Sequence, residues 1–456
     1  MMAWREAGEA LAAGRAGLVS LWADGPRARL ALLLDDTVQI VDHPAPDGTF
    51  PSIGRLHPPA IRLERALAES SPLVPLGLPD TRRWLDHGEN PTAYPFLPVK
   101  GRHLHQIPVG PVHAGIIEPG HFRFTCDGET VVRLEERLGY VHRGVEALMA
   151  GKVPAEAARI AARISGDATV AYAFAFARAV ESVLGVAVPP RAIWLRALMA
   201  ELERLANHLG DVGAICNDAA FGLLLAHCSV LREEVLRACA FAFRHRLMMG
   251  CVVPGGVAVD LSREGEARLR ALAARVGAAF PPLLSLYDRT ASLQDRTVGT
   301  GILRPELAAL WAAGGFVGRA SGRDFDARRF TPPYEALSFS VPVLEAGDVD
   351  ARLRIRAAEI SESLGLITQI LDRLPVGPLL ARVPAGAGEG FSLVESFRGD
   401  VFFHLRITDG LIVRAHARDP SWFQWPLLEA AIEGNIVADF PLCNKSFNCS
   451  YAGHDL

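Results

Sequence analysis

The sequence predicts an α+β protein: a small α/β segment at the N-terminus, then a larger, mostly helical domain with small sheets on its edge. Three observations carry this. Ala155 to Leu184 is almost all Ala, Val, Ile, Phe and Tyr with few charges, the composition of a helix buried on most faces. Leu195, Leu198, Leu202, Leu205 and Leu209 recur at helical spacing. Short alternating stretches bounded by Gly, Pro and Asp-Gly turns appear at about Ala16–His43, Ile107–Leu134 and Phe391–Ile412.

In chain order, Gly17–Ala23, Ala28–Leu34 and Thr37–Val41 read as strands, with Asp24-Gly25 as a tight turn. Pro59–Glu69 reads as a helix, with Ile61, Leu63 and Leu67 on one side and Arg62, Glu64 and Arg65 on the other. The Pro- and Gly-rich stretch Pro72–Lys100 reads as a linker, which divides the chain into residues 1–90 and 91–456. Arg191–Leu209, Ala219–Met249, Arg263–Val276 and Asp350–Leu374 read as helices, the last amphipathic with Arg352, Arg354, Arg356, Glu359 and Glu362 on its polar side. The aromatic, Asn/Ser-rich tail from Pro420 to Leu456 does not read as low-complexity sequence.

The 456 residues suffice for more than one domain and a large core. The balance of 47 basic against 51 acidic residues argues against a nucleic-acid binder. The seven cysteines include no C-x-x-C pair and form no disulfide framework, so reduced thiols are expected. The N-terminus lacks a signal-peptide pattern. No apolar run reads as a membrane span, because the best candidate, Val212–Val230, is interrupted by Asn217, Asp218 and His227.

Each candidate residue has a functional and a plainer reading. His142, in Gly139-Tyr-Val-His-Arg-Gly144, is a proton relay or a turn histidine donating to a carbonyl, and spacing favours the second. Asp167, in a helix expected to be buried, needs a partner. Arg163, one turn earlier, is the expected one. Asn207, His208, Asn217 and Asp218 interrupt apolar helix and read as satisfied core contacts. The alternating charges of Arg319–Arg329 read as a solvated loop or a docking surface. His113, His121, His142, His208 and Cys449 lack paired ligand spacing, so no metal site is read from them.

Several stretches carry a resemblance in family order: Gly110-Pro-Val-His-Ala-Gly-Ile-Ile-Glu-Pro-Gly-His-Phe-Arg-Phe124, Glu135-Glu-Arg-Leu-Gly-Tyr-Val-His-Arg-Gly-Val-Glu146, Glu203-Arg-Leu-Ala-Asn-His-Leu209, Pro254-Gly-Gly256, Ala320-Ser-Gly322 with Asp326 and Arg328, and Lys445-Ser-Phe447. With them the chain resembles the large subunit of membrane-bound energy-converting [NiFe]-hydrogenases of hydrogenase-4 and formate hydrogenlyase type. It equally resembles the D-type, quinone-site subunit of NADH-quinone oxidoreductase (complex I). His57-Pro-Pro-Ala-Ile-Arg-Leu-Glu-Arg65 and Gly77-Leu-Pro-Asp-Thr-Arg82 resemble a shortened form of the neighbouring small peripheral subunit of complex I. The resemblance implies a large domain of [NiFe]-hydrogenase large-subunit type.

The departure from the family pattern is informative. In the hydrogenases, an R-x-C-G-x-C and a D-P-C-x-x-C motif hold nickel and iron through four thiolates. The corresponding positions here are Ser165, Ala168, Ser450 and Gly453, with Cys449 one place early. Serine and alanine do not replace soft thiolates. The resemblance therefore implies no metal site. It implies instead the complex I arrangement, where the vacated site is the head of a quinone cavity. On that alignment Asp218 falls on the family's aspartate, and His113 lies within one residue of its histidine. The tyrosine position falls on Gly166, with Tyr172 as a substitute from the same helix.

The expected catalytic residues are thus His113 and Asp218, joined as an ion pair. The expected acceptor cavity is lined by Ser165, Gly166, Ala168, Tyr172, His142 and Ser450. The implied function is that of a catalytic-arm subunit of a membrane-bound, complex-I-like oxidoreductase. Electrons from an iron–sulfur cluster on a small partner subunit would pass to a quinone or similar acceptor, coupled to ion translocation by membrane-arm subunits. This chain would bind no cofactor itself and would sit peripherally on the cytoplasmic face of the inner membrane. The alternatives are a [NiFe]-hydrogenase with atypical ligands and a non-redox scaffold for a membrane ion-translocating arm.

Overall fold

The computed structural model describes residues 2–84, 94–115 and 117–456. Helix α1 (Trp4–Ala12) precedes an antiparallel meander of β1 (Gly17–Ala23), β2 (Arg27–Leu34) and β3 (Thr37–Pro44). The short strands β4 (Thr49–Pro51) and β5 (Val74–Leu76) pair in parallel around α2 (Ile61–Ser70). The expected strands and α2 are present. The helix α1 was not anticipated, although Trp4, Ala7 and Leu11 are buried at helical spacing. The expected boundary at residues 90 and 91, and the middle of the expected linker, lie outside the described residues, as does Ile116 of the Gly110–Phe124 stretch.

A second meander follows, β6 (Leu104–Val109), β7 (His121–Asp127) and β8 (Thr130–Arg137). Helices α3 (Val145–Met149), α4 (Pro154–Ala161), α5 (Thr169–Leu184), α6 (Pro190–Asp218) and α7 (Gly222–Phe243) form the first part of the helical body. The single helix expected over Ala155–Leu184 is two helices. Arg163–Ser165 turns the chain between them, and Thr169 Oγ1 donates to the Ala162 carbonyl at 2.5 Å across the turn. The strands β9 (Val252–Val253) and β10 (Gly256–Val257) form a small hairpin, and α8 (Arg263–Arg289) continues through Pro281-Pro282 beyond its expected end. Among the described residues α8 is the one helix long and apolar enough to cross a membrane, by length and composition alone. Short helices α9 (Ala291–Thr297), α10 (Pro305–Leu310) and α11 (Gly315–Arg319) lead to α12 (Val349–Arg373). A third meander, β11 (Gly388–Glu395), β12 (Asp400–Thr408) and β13 (Leu411–Arg418), is followed by α13 (Ser421–Ile432), α14 (Phe440–Phe447) and α15 (Tyr451–Asp455). The tail is therefore largely helical and mostly buried.

The centre of the helical body, where α6, α7 and α12 pack together, holds charge as well as leucine. Arg319 reaches Glu359 at 2.6 Å and Glu395 at 3.0 Å. Arg204 and His208 reach the same Glu359 at 3.3 and 2.7 Å, and Arg328 pairs with Asp326 at 2.7 Å and Glu201 at 3.2 Å. All these side chains are buried. This corrects two expectations. Arg319, Asp326 and Arg328 are core groups rather than part of a solvated or docking loop, to which only Asp324 and Arg329 conform, and Arg352, Arg356 and Glu359 of α12 face inward. Charge alternation looks the same whether the counter-ions are water or distant segments, and here Glu201, Glu359 and Glu395 come from far along the chain. Buried ions require such partners.

The N-terminal meander is joined to the large domain at a polar seam. The Trp22 ring stacks on His416 at 4.8 Å, and Ser20 Oγ lies 2.7 Å from His416 Nε2. Arg29 reaches Glu389 at 2.7 Å, and Arg418 Nε donates to the Val19 carbonyl at 2.6 Å.

Candidate functional site

Two of the four positions at which the hydrogenase pattern has thiolates, Ser165 and Ser450, meet at one cleft. Ser165 lies at the turn before α5, and Ser450 caps α15 by accepting from Gly453 N–H at 2.9 Å. The two serine hydroxyl oxygens are 3.0 Å apart. Ser165 Oγ also donates to Asp167 Oδ1 at 2.6 Å, and Arg398 Nη2 donates to Asp167 Oδ2 at 2.6 Å. Asp167 is therefore paired with Arg398, from the loop between β11 and β12, and not with Arg163. Arg163 donates to the Arg159 carbonyl instead. Although burial raises it, the Arg398 charge and two hydrogen bonds hold the Asp167 carboxyl below its ordinary range.

These groups form one wall of a cleft of about 510 Å³. His113, from the loop after β6, and Asp218, at the end of α6, line the same cleft, as do Gly166, Ser165 and Ser450. Five of the expected site residues are thus brought together. The expected His113–Asp218 pair is not formed: among the described residues no hydrogen bond or ion pair joins them. Burial lowers the His113 imidazole pKa, leaving the ring neutral, and its Nε2 has no hydrogen-bond partner among the described residues. Burial raises the Asp218 carboxyl, against the opposing charge of Lys445 and a hydrogen bond from Asn217. Lys445, on α14, is the nearby cation, not His113.

Three expected cavity residues fall elsewhere. Ala168 is buried and does not line the cleft. Tyr172 is fully buried and its hydroxyl donates to Asp419 Oδ2 at 2.5 Å, because one helical turn carries it past the cleft into the core. His142 takes its plainer role. Its Nδ1 is 2.6 Å from the Asp455 carbonyl, and it lines a different cavity, of about 490 Å³, at the seam with the N-terminal meander.

The cleft also contains groups that spacing did not reveal. Tyr451 lies with its ring centroid 6.3 Å from that of His113, and its hydroxyl sits beside Asn444. Arg398 Nη1 is buried without a partner among the described residues. Lys445 stood in one of the matching motifs, which was the one available signal. Nothing in spacing links residues 398 or 451 to His113; only the fold does.

The chain is similar to two groups of known proteins. A family model described as the respiratory-chain NADH dehydrogenase 49 Kd subunit matches residues 220–385, and one described as nickel-dependent hydrogenase matches residues 143–210. Formate hydrogenlyase subunit 5 of Escherichia coli (strain K12) is 31% identical over 438 residues, covering 89% of this chain and 77% of that protein. A D-type subunit of NADH-quinone oxidoreductase from Roseiflexus sp. (strain RS-1) is 33% identical over 353 residues, covering 73% of this chain and 94% of that protein. The carbon monoxide-induced hydrogenase of Rhodospirillum rubrum is 31% identical over 349 residues, covering 75% and 96%. The chain belongs to this family of hydrogenase large subunits and complex I 49 kDa subunits.

Within the family, the donor set of this chain does not suit a nickel–iron centre. Ser165 and Ser450 are hydrogen-bonded hydroxyls, and Ala168 carries no donor. A Cβ on Gly453 would lie 2.8 Å from the Tyr172 hydroxyl and closer still to Asp419 Oδ2. The space of the fourth thiolate is occupied by the Tyr172–Asp419 hydrogen bond. Cys449 is buried, and burial holds its thiol well above its ordinary range, so it stays protonated and is a poor ligand.

Proposed function

We propose that this chain is the acceptor-site subunit of a complex-I-like, membrane-bound oxidoreductase, and that a quinone or similar carbonyl acceptor is reduced in the cleft of His113, Asp218, Ser165 and Ser450. The observation that carries the reading is the Ser165–Ser450 hydrogen bond at 3.0 Å, at the positions where the hydrogenase pattern has thiolates. Hydroxyls in place of soft ligands leave a polar cavity head able to hydrogen-bond an oxygen acceptor but not to hold nickel and iron.

Within this reading, each residue has a chemical task. Arg398 and His113, which line the cleft, are the groups that offer donors to the acceptor's ring oxygens, where negative charge develops on reduction. Asp218, with its raised carboxyl, supplies a proton-exchanging group at the same cleft, beside Lys445. Tyr451 offers the phenol that neither Gly166 nor Tyr172 supplies. Reduction to the quinol takes two electrons and two protons. The electrons come from an iron–sulfur cluster of a small partner subunit. Membrane-arm subunits would hold the assembly at the cytoplasmic face of the inner membrane and couple the reaction to ion movement.

The relatives' names, which include both NADH-quinone oxidoreductase and formate hydrogenlyase subunits, support membership of such an assembly. The test is single-turnover reduction of a short-chain benzoquinone by the purified complex with its clusters pre-reduced. Quinol should appear, without hydrogen evolution on further reduction. Hydrogen evolution with stoichiometric nickel would establish the hydrogenase alternative. An assembled complex that reduces no acceptor would favour the scaffold.

A further inference from the structure

Asp167 forms part of two cavities. On one side it lines the acceptor cleft with Ser165. It also lines a small cavity of about 20 Å³, walled by α6 and α7 with Met248, which shares no other residue with the cleft. That volume has room for about one water. Besides Asp167 it is lined by Glu203, whose carboxyl is buried and, among the described residues, has no hydrogen-bonded cation. Its two oxygens accept from the backbone N–H groups of Val170 at 2.7 Å and Ala171 at 3.1 Å, at the start of α5. Arg232 and Arg246 also line the small cavity, and Arg246 is exposed, so its outer end reaches solvent.

We infer that Glu203 and the one-water cavity beside it form a proton entry to the acceptor cleft, running from the Arg246 surface through Glu203 to Asp167 and Ser165. The inference rests on the proposed function, because only a reaction that consumes protons needs such an entry. The Asp167 side chain is 36% exposed in this chain alone. An electron-delivering partner would cover the cleft and remove its direct water, leaving the cavity on the α6–α7 side as a way in. The balance is simple. Each electron pair arriving at the quinone forms two O–H bonds with two protons, and Glu203 passes a proton inward and is reprotonated from solvent.

The environment of Glu203 suits this task. Burial raises its carboxyl to about 8, opposed by the two backbone N–H bonds; Asp167 raises it further and Arg204 lowers it. Cys239 shares its cavity, as a thiol that burial keeps protonated. Glu203 therefore holds a proton at neutral pH and is able to release it. When protonated, both oxygens still accept from the backbone N–H groups of Val170 and Ala171, and the O–H hydrogen is available to the small cavity.

The plainer role is a helix cap for α5, and the experiment separates the two. In the purified complex, Glu203→Gln keeps one acceptor oxygen and removes the proton. Ala206→Val leaves Glu203 intact and fills the small cavity. Both should slow benzoquinone reduction by roughly tenfold or more and raise the solvent deuterium isotope effect. A small permeant weak acid such as acetic acid should partly restore Glu203→Gln. Slowing without a change in isotope effect and without rescue would reduce Glu203 to a cap, and unchanged rates in both variants would also overturn the route. If the wild-type complex reduces no quinone, the acceptor reading fails and infrared difference spectroscopy still decides the route. The wild type at pH 7 should show a protonated-carboxyl band that shifts promptly in D₂O and is lost in Glu203→Gln. A missing band, or one that does not exchange, would overturn the proposal.

Discussion

The Tyr172 hydroxyl donates to Asp419 Oδ2 at 2.5 Å, and this pair fills the space that a side chain on residue 453 would need. A thiolate position has been replaced by a core hydrogen bond, rather than merely deleted. Gly453→Cys should therefore restore no ligand. It should force the buried pair apart at about 1–3 kcal/mol, the scale of overpacking a close-packed core. Chemical denaturation of the purified complex would measure this, and a variant as stable as wild type would show that the space is free.

Glu359 answers three cationic or imidazole partners at once, Arg319, Arg204 and His208, all buried. Removing its charge leaves them facing each other. Glu359→Gln should cost about 3–5 kcal/mol, the cost of breaking a buried pair by removing one partner. Little soluble protein, or a large fall in the urea midpoint, is the expected outcome. A shift below ~1 kcal/mol would mean that the network contributes specificity but not stability.

Glu146 ties the N-terminal meander to the large domain through Arg414 and His416, each at 2.7 Å. Burial pushes its carboxyl up, but Arg414 and His416 hold it down at about 2. The folded pKa lies below the unfolded value, so the group contributes stability above pH ~4.5 and loses it as pH falls toward about 2. Glu146→Gln should be less stable than wild type at pH 6, and the gap should close between about pH 4.5 and 2. A gap that stays constant with pH would exclude the ionic contribution.

Asp218 and Lys445 share the cleft with His113. Asp218→Asn and Lys445→Met should leave assembly intact and lower quinone reduction by about ten- to a thousandfold, within reach of the effect of disabling a positioned proton donor. Because Lys445, not His113, faces Asp218, the two effects should be far from additive in a double variant. Additive losses would show that the two groups act apart.

The fold was legible wherever a local pattern decided it. The first two meanders stood out from alternation and turn residues, the third only as a strand pair over Phe391–Ile412 rather than the three strands it has, α6 from leucine spacing and α12 from its amphipathic charges. The buried charges of α12 were not legible, because Arg352, Arg356 and Glu359 look like the polar face of any amphipathic helix until their partners, up to 155 residues away, are known. At the site, family motifs led to His113, Asp218, Ser165, Gly166 and Ser450. Tyr172 failed because proximity along a helix does not fix which side of it a residue faces. Tyr451 and Arg398 reach the cleft from the α15 and β11–β12 segments by tertiary packing alone, and no spacing rule records that.

The most direct measurement is photo-labelling of the purified complex with an azido-benzoquinone, followed by peptide mapping and competition with the unlabelled quinone. The account predicts competed label in peptides spanning residues 109–122 and 440–452, the two segments that face each other across the cleft. Competed label at the seam cavity instead, around His142 and His416, would contradict it.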